Sequence, residues 1–297
     1  MSHSSPPHVF TLTGNLLAER TLTFSAWKPG KTQRATAESF QVGGKGINVS
    51  KMLSRLRVPN TALGFAGGAP GTESEAWLRA RGFNFRLFPT QAPTRIGVVV
   101  RSHGESEPET TFLGPDVPPD ADALRACADY LNAQDAGQVL ALCGSFPGWT
   151  DASFEPLYDA VDQWLERGKV MVDVYGPTLA WFLKRRVDLI KINADELLPF
   201  APDLANLPAN AAAKRWVVTN GAGLVQIRDL DGSVSTATPP SMKEVSATGS
   251  GDVLFACVVD GLCARGMRLR DAVSFALPYA AANAAHAGIA EFPQLVQ

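Results

Sequence analysis

Cysteine is scarce in this chain, and nothing in its spacing suggests pairing: Cys127, Cys143, Cys257 and Cys263 are the only four, with no C-x-x-C among them. Each sits among apolar neighbours, which argues against a disulfide framework or a thiolate metal site and fits buried, reduced thiols in a cytoplasmic protein. Histidine is equally sparse, and His3, His8, His103 and His286 are scattered without metal-ligand spacing. No apolar run is long enough to cross a bilayer, so no membrane partner is expected. With a formal net charge of −2 and no long basic stretch, bulk charge speaks against nucleic acid as a partner. The Walker A spacing G-x-x-x-x-G-K-[ST] and the hydrolase elbow G-x-S-x-G are both missing. Met1–His8, polar with two prolines, reads as a loose tail and not as a targeting segment.

What is present is alternation. Short apolar runs at Thr61–Ala66, Val139–Cys143, Val170–Val174, Leu189–Ile192 and Trp216–Thr219 fit buried parallel strands. Helical patterns lie between them at Asn48–Arg57, Glu73–Arg81, Pro119–Ala133, Asp151–Arg167 and Pro177–Lys184. Two Ala-rich helices, Gly249–Arg265 and Arg270–Ala287, close the chain. At 45% hydrophobic, 297 residues can bury such a core, and the rhythm predicts a doubly wound α/β sheet with its functional loops at the carboxyl ends of the strands. Two regions, 9–41 and 95–113, alternate polar and apolar residues and predict half-exposed antiparallel strands forming a small β lid. A hairpin is expected over Val225–Val234, turning at Asp231-Gly232.

The sharpest motif is Thr248-Gly249-Ser250-Gly251-Asp252, directly before an apolar helix. Glycines at a loop-to-helix junction let backbone amides approach an anion, and the helix dipole adds to them. Asp252 in that first turn can take a proton from a hydroxyl held beside a phosphoryl group, or it can simply cap the helix. A second cluster, Gly43-Gly44-Lys45-Gly46-Ile47-Asn48, also precedes a helix and offers a charge and an amide, or else forms a tight turn with a surface lysine. Lys191-Ile192-Asn193-Ala194-Asp195-Glu196 follows an apolar strand. Asn193 and Glu196 could organise a hydrated Mg²⁺ or form a capping box. Thr219-Asn220-Gly221-Ala222-Gly223 is a glycine turn able to border a nucleotide.

In this order, G-G-K-G-x-N, K-x-N-x-x-E and G-x-G-D, the segments resemble the ribokinase-like phosphofructokinase-B family over about Val9 to Gly288. Within the family the chain is similar to the branch of 1-phosphofructokinase and tagatose-6-phosphate kinase. Lys28-Pro29-Gly30 followed by Arg34, Thr94-Arg95-Ile96 and Gly114-Pro115 carry that narrower likeness. The resemblance implies a ribokinase-like three-layer kinase domain over 9–297 and ATP-dependent phosphoryl transfer to a sugar or sugar phosphate, with Mg²⁺. Asp252 would be the base, and Gly249, Ser250 and Gly251 the anion hole. Asn193 and Glu196 would hold Mg²⁺ through water, Thr219, Gly221 and Gly223 would border the nucleotide, and Asn283 would lie near the adenine. Gly44 and Asn48 would meet the sugar, and Lys45, Arg95 and Arg34 its phosphate. A homodimer through the lid strands is implied as well.

The chain departs from the family pattern in four places. Where the branch has N-P-A-x-D, whose Asp grips sugar hydroxyls, Thr13-Gly14-Asn15-Leu16-Leu17 carries no carboxylate. Gly97 replaces the Asn after Thr-Arg-Ile, the turn at Gly221 is one residue short, and 201–213 is a Pro- and Ala-rich link. These departures leave the phosphoryl-transfer motifs whole and bear on the acceptor. Two alternatives stand beside a sugar-phosphate kinase: a kinase of an unphosphorylated sugar or nucleoside, and a catalytically silent binding protein.

Overall fold

Each apolar run becomes a strand because both faces of it are covered, as the computed structural model of residues 6–102 and 109–295 shows. The chain opens with β1 (Val9–Thr13), β2 (Leu17–Phe24), β3 (Ala37–Gly43), α1 (Lys45–Arg55), β4 (Asn60–Ala66) and α2 (Gly68–Ala80). It continues through β5 (Phe85–Pro89), β6 (Arg95–Ser102), β7 (Glu109–Leu113), α3 (Ala121–Asn132), β8 (Val139–Gly144), α4 (Glu155–Arg167) and β9 (Lys169–Val174). Then come α5 (Gly176–Leu183), β10 (Leu189–Asn193), α6 (Ala194–Leu197), β11 (Trp216–Thr219), β12 (Val225–Arg228), β13 (Val234–Ala237), α7 (Ser250–Cys263) and α8 (Leu269–Ala284).

The large sheet has the order β13-β12-β11-β10-β9-β8-β1-β4-β5 and is parallel from β5 to β11, with the β12–β13 hairpin antiparallel at its edge. Helices cover both faces. On one side Leu157, Ala160, Val161 and Trp164 of α4, spaced for one helical face, join Leu140, Leu142 and Val172 in a core. On the other, Val49, Met52 and Leu53 of α1 and Val253–Val259 of α7 join Val139, Ala141 and Met171. Alternate residues of one strand thus feed opposite cores, which is why these strands read as continuous apolar runs. The expected doubly wound α/β architecture is present.

The second sheet, β3-β2-β6-β7, is the lid. Its register puts residues of one parity on one face: Leu17 opposite Gly43 and Arg95, Glu19 opposite Gln41 and Gly97, Arg101 opposite Glu109. Three expectations need correction. Val9–Thr13 is not lid but a wholly buried central strand, and the lid begins at Leu17. The lid pair β2–β6 is parallel, not antiparallel. The expected tail also ends sooner: His8 packs on the Phe10 ring and bonds Thr61 Oγ1 at 2.8 Å, while residues 1–5 lie outside the described residues.

α7 and α8 pack closely because Gly261 has no side chain: a Cβ there would stand 2.6 Å from that of Ala272. Replacing Gly261 with valine overpacks this contact, and urea unfolding should show a loss of about 1–3 kcal/mol. An unchanged midpoint would mean that the two helices can spread.

Candidate active site

The carboxyl ends of β1, β8, β9 and β10 and the first turns of α1 and α7 open on one cavity of about 470 Å³, roofed by the lid. Strand parity decides what the lid contributes. Leu17, Glu19, Gln41, Gly43, Arg95, Val99, Arg101, Glu109 and Thr111, all odd-numbered, face the cavity. A one-residue slip would turn all of them away.

The glycine loops and several ionisable side chains meet where α1 and α7 begin. Gly249, with φ of 75°, takes the left-handed conformation that starts α7, and Gly249 and Gly251 line the cavity. Asp252 is buried in the first turn of α7, and its Oδ2 accepts from Asn48 Nδ2 on α1 at 2.7 Å. Burial, then repulsion from Asp173, push Asp252 up to about 6, while Lys45, Lys191 and Asn48 pull the other way. Helix α1 starts at Lys45, three residues earlier than the pattern predicts, which places Lys45 and Asn48 on its first turn.

Beneath Asp252 lies a carboxylate that sequence reading passed over. Asp173, fully buried at the end of β9, accepts from Lys45 Nζ and from Lys191 Nζ, each at 2.6 Å. Burial opposes its charge, but Lys191 and Lys45 together hold it below the usual carboxylate range. Lys45 is half-buried, which works against its charge, yet Asp173, Asp252 and Glu196 hold its pKa above the ordinary lysine value. Each ammonium has three donors and spends one on Asp173. Lys191 also reaches the glycine loop, where a Cβ on Gly251 would stand 2.7 Å from its Nζ. Lys45 and Arg95 line the same cavity, Lys45 at the end that holds Asp252 and Arg95 on the lid.

Asn193 and Glu196 form the capping box of α6: Glu196 N donates to Asn193 Oδ1 at 2.8 Å, and Asn193 N to Glu196 Oε2 at 2.9 Å. Oε1 of Glu196 is left over, 3.7 Å from Lys45 Nζ. Among the described residues no group of three or more His, Cys, Asp or Glu could hold a metal ion. One spare carboxylate oxygen fits a Mg²⁺ held mainly by water and phosphate, the coordination this ion prefers. Beside the main cavity, an apolar pocket of about 190 Å³ is lined by Gly221, Ala222, Val225, Met242, Leu254 and Leu277 among others. Thr219 borders both cavities, whereas Gly223 only closes its turn, donating to Asn220 O at 2.7 Å. Asn283 is turned away from that pocket: its amide donates to Thr248 O and Ser250 Oγ and accepts from Ala290 N, bracing the glycine loop from behind.

At the lid end Glu19, two residues past the 13–17 stretch that has no carboxylate, lines the cavity. Burial raises its pKa, and the Gln41 amide, hydrogen-bonded to it, works against that rise. Arg101 pairs with Glu109 at 2.9 Å and donates to Ala287 O at 2.9 Å, while Thr248 donates to Glu109 at 3.4 Å, so the lid is tied to the body. Arg95 pairs with Asp116 at 2.7 Å, and Asn15 donates to the same Asp116 oxygen at 2.8 Å. The acidic partners of Lys45 and Arg95, Asp173 and Asp116, come from other segments of the chain. Arg34 is exposed on the β2–β3 connection and does not line the cavity. Gly44 and Asn48 do line it.

If Asp252 works as a base, kcat/KM should fall about tenfold per pH unit below about 6 and level off above it. Asn48 donates to the ionised form, so Asn48→Ala raises the pKa of Asp252 and should move the acid limb to higher pH. Profiles of both proteins with one acceptor cancel the acceptor's own titration. A limb that stays put or moves down would remove Asp252 from the role.

Curated relatives cover the chain nearly end to end. It is 26% identical to 1-phosphofructokinase of Bacillus subtilis, over 86% of this chain and 85% of that one. It is 27% identical to D-tagatose-1-phosphate kinase of Bacillus licheniformis, over 86% and 83%. Among solved structures, phosphofructokinase-2 from Escherichia coli in complex with substrates and products superposes with a TM-score of 0.83 at 24% identity, covering 93% of each chain. Ribokinase from Thermotoga maritima gives 0.71 at 17% identity, covering 97% of this chain and 96% of that one. The model that describes the pfkB family of carbohydrate kinases matches residues 15–294, and the chain belongs to that family.

Proposed function

We propose that this carbohydrate kinase transfers the γ-phosphoryl group of ATP to a hydroxyl of a sugar that already carries a phosphate. The observation that carries the reading is the placement of Asp252. It stands at the start of α7 between the Asn48 amide and the Lys45–Asp173–Lys191 cluster, facing a cavity whose far wall bears Glu19 and Arg95. The acceptor hydroxyl gives its proton to Asp252 as its oxygen bonds to the γ-phosphorus, and the bond from that phosphorus to the bridging oxygen of ADP breaks. The backbone of 249–251 at the positive end of α7, with the free donors of Lys45 and Lys191, offsets the charge spread over the transferring group. Glu196, through its spare oxygen, with Asn193 beside it, would hold a hydrated Mg²⁺, whose chemistry is to neutralise phosphate charge. The apolar pocket next to Thr219 suits the purine. Glu19 and Gln41 would accept from and donate to the sugar hydroxyls, and Arg95 would meet the sugar's phosphate through its fork of donors.

One observation favours an unphosphorylated acceptor: both lid arginines in the cavity are already paired, Arg95 with Asp116 and Arg101 with Glu109. A panel of ketohexose phosphates and their parent sugars separates the two readings. Phosphorylated acceptors should have the higher kcat/KM, and Arg95→Ala should lower it for them alone. Asp252→Asn should cut kcat about 10²–10⁴-fold with ATP affinity near wild type. A parent sugar turned over best would move the protein to the other reading.

The partner proposed for the outer lid face is a second copy of the chain. On that face Ile96 is 50% exposed and Phe112 52%, while the Escherichia coli relative has been solved in a tetrameric form. Light scattering should find a dimer, and Phe112→Asp should give a monomer. A monomeric wild type would end this reading.

A further inference from the structure

Arg95 is an unusual side chain to find neutralised. It is only 15% exposed at the side chain, and its Nε is buried with no hydrogen-bond partner. Of its guanidinium donors, one on Nη1 meets Asp116 at 2.7 Å. Asp116 differs in every respect. Its side chain is 53% exposed, and it sits mid-loop between β7 and α3. That loop is pinned at its two ends: Gly114 N donates to Ile96 O at 2.8 Å, and Asp120 caps α3 while bonding Thr90 and Gln91. Between the pins, among the described residues, the side chain of Asp116 is held by the bonds that Arg95 and Asn15 make to one of its oxygens and by no other hydrogen bond. Asn15 has a second partner, Ser145 Oγ at 3.1 Å, so it need not lose everything if the carboxylate leaves.

We infer that Asp116 is a built-in stand-in for the acceptor's phosphate: it occupies Arg95 and Asn15 in the free protein and gives way to the phosphate when the acceptor binds. This rests on the proposed phosphate-bearing acceptor and goes beyond it, because it assigns a role to a residue outside the transfer chemistry. Three considerations support the exchange. A partly buried guanidinium without an anion is costly, so an internal carboxylate keeps the empty site stable. A half-exposed carboxylate returns to water cheaply, since ion pairs of this kind contribute about 0–1 kcal/mol. A dianionic phosphate offers Arg95 more acceptors than one carboxylate oxygen and can take donors that Asp116 leaves unused, including the buried Nε. A neutral sugar cannot displace Asp116, so the exchange admits phosphorylated acceptors at Arg95 and keeps that end of the cavity shut to others. Asp116 therefore acts through Arg95 as a positioning residue for selectivity and not as a catalytic one.

The test compares wild type, Asp116→Asn, Asp116→Ala, Arg95→Ala and the double variant Arg95→Ala/Asp116→Ala, each assayed at a temperature where circular dichroism shows it fully folded. Calorimetry without ATP measures binding of fructose 1-phosphate, fructose 6-phosphate, tagatose 6-phosphate and inorganic phosphate. Steady-state kinetics then gives KM and kcat separately. Removing the competitor should tighten phosphorylated ligands by up to about fivefold, the size of an exposed ion pair. KM should fall by the same factor with kcat unchanged, and the parent sugars should not respond. In the Arg95→Ala background, losing Asp116 should do nothing. If wild type binds phosphorylated ligands but the Asp116 variants bind them equally or more weakly, Asp116 holds Arg95 in place and the exchange is wrong. If wild type binds none of them while parent sugars bind, the phosphate-bearing acceptor itself falls, and the exchange with it.

Discussion

One buried carboxylate holds the reacting end of this molecule together. Asp173 sits at the end of β9, out of reach of water, and an isolated charge there would be prohibitive. It stays ionised because Lys45 from α1 and Lys191 from β10 each place an ammonium on one of its oxygens. The same two bonds fix where those ammonium groups point, with their remaining donors directed at the glycine loop and the cavity. Asp252 then feels both signs at close range. Its raised pKa is a compromise between burial and Asp173 on one side and the two lysines and Asn48 on the other. Helix α1 and strands β9 and β10 are thereby tied together by a single group that does not itself line the cavity.

The lid obeys a different constraint, the period of two along a strand. Cavity-facing residues on four strands share one parity, so Glu19, Gln41, Arg95, Arg101 and Glu109 converge from across the lid. Outward-facing Arg20 instead reaches Glu38 across the sheet and Glu73 on α2, all three well exposed. One register thus separates a cavity face from an outer face, and a change on one need not disturb the other.

Local patterns carried the α/β alternation and the glycine loops, because buried strands and helix starts leave their marks within a few residues. What stayed hidden was pairing at long range. Asp173 is an ordinary acid at the end of an apolar run until β10 brings Lys191 beside it. Asp116 lies in a proline-rich loop with no motif until Asn15 and Arg95 meet it. Glu19 could have been found: following the alternation of β2 two residues past Leu17 reaches a carboxylate on the cavity side. The acid partner of Lys45 lies 128 positions away, beyond the reach of any local pattern. Val9–Thr13 was read as lid because threonines interrupt its apolar run, yet Thr11 and Thr13 are buried all the same.

The chain leaves the large sheet after Thr13 to form lid strands β2 and β3 and returns to the core at Gly44, where α1 begins, and those two residues are adjacent: a Cβ on Gly44 would stand 2.6 Å from Thr13 Cγ2. Topologically, 14–43 is therefore an insertion whose ends coincide within the first β–α junction of the core. Since both ends are already side by side, closing such an excursion costs the underlying β1–α1–β4 unit little, and its length can drift with only a logarithmic entropic penalty. Half of the lid is in this sense a module set into the β1–α1 junction, and the core beneath can keep its form while the inserted strands β2 and β3 change the cavity wall they supply.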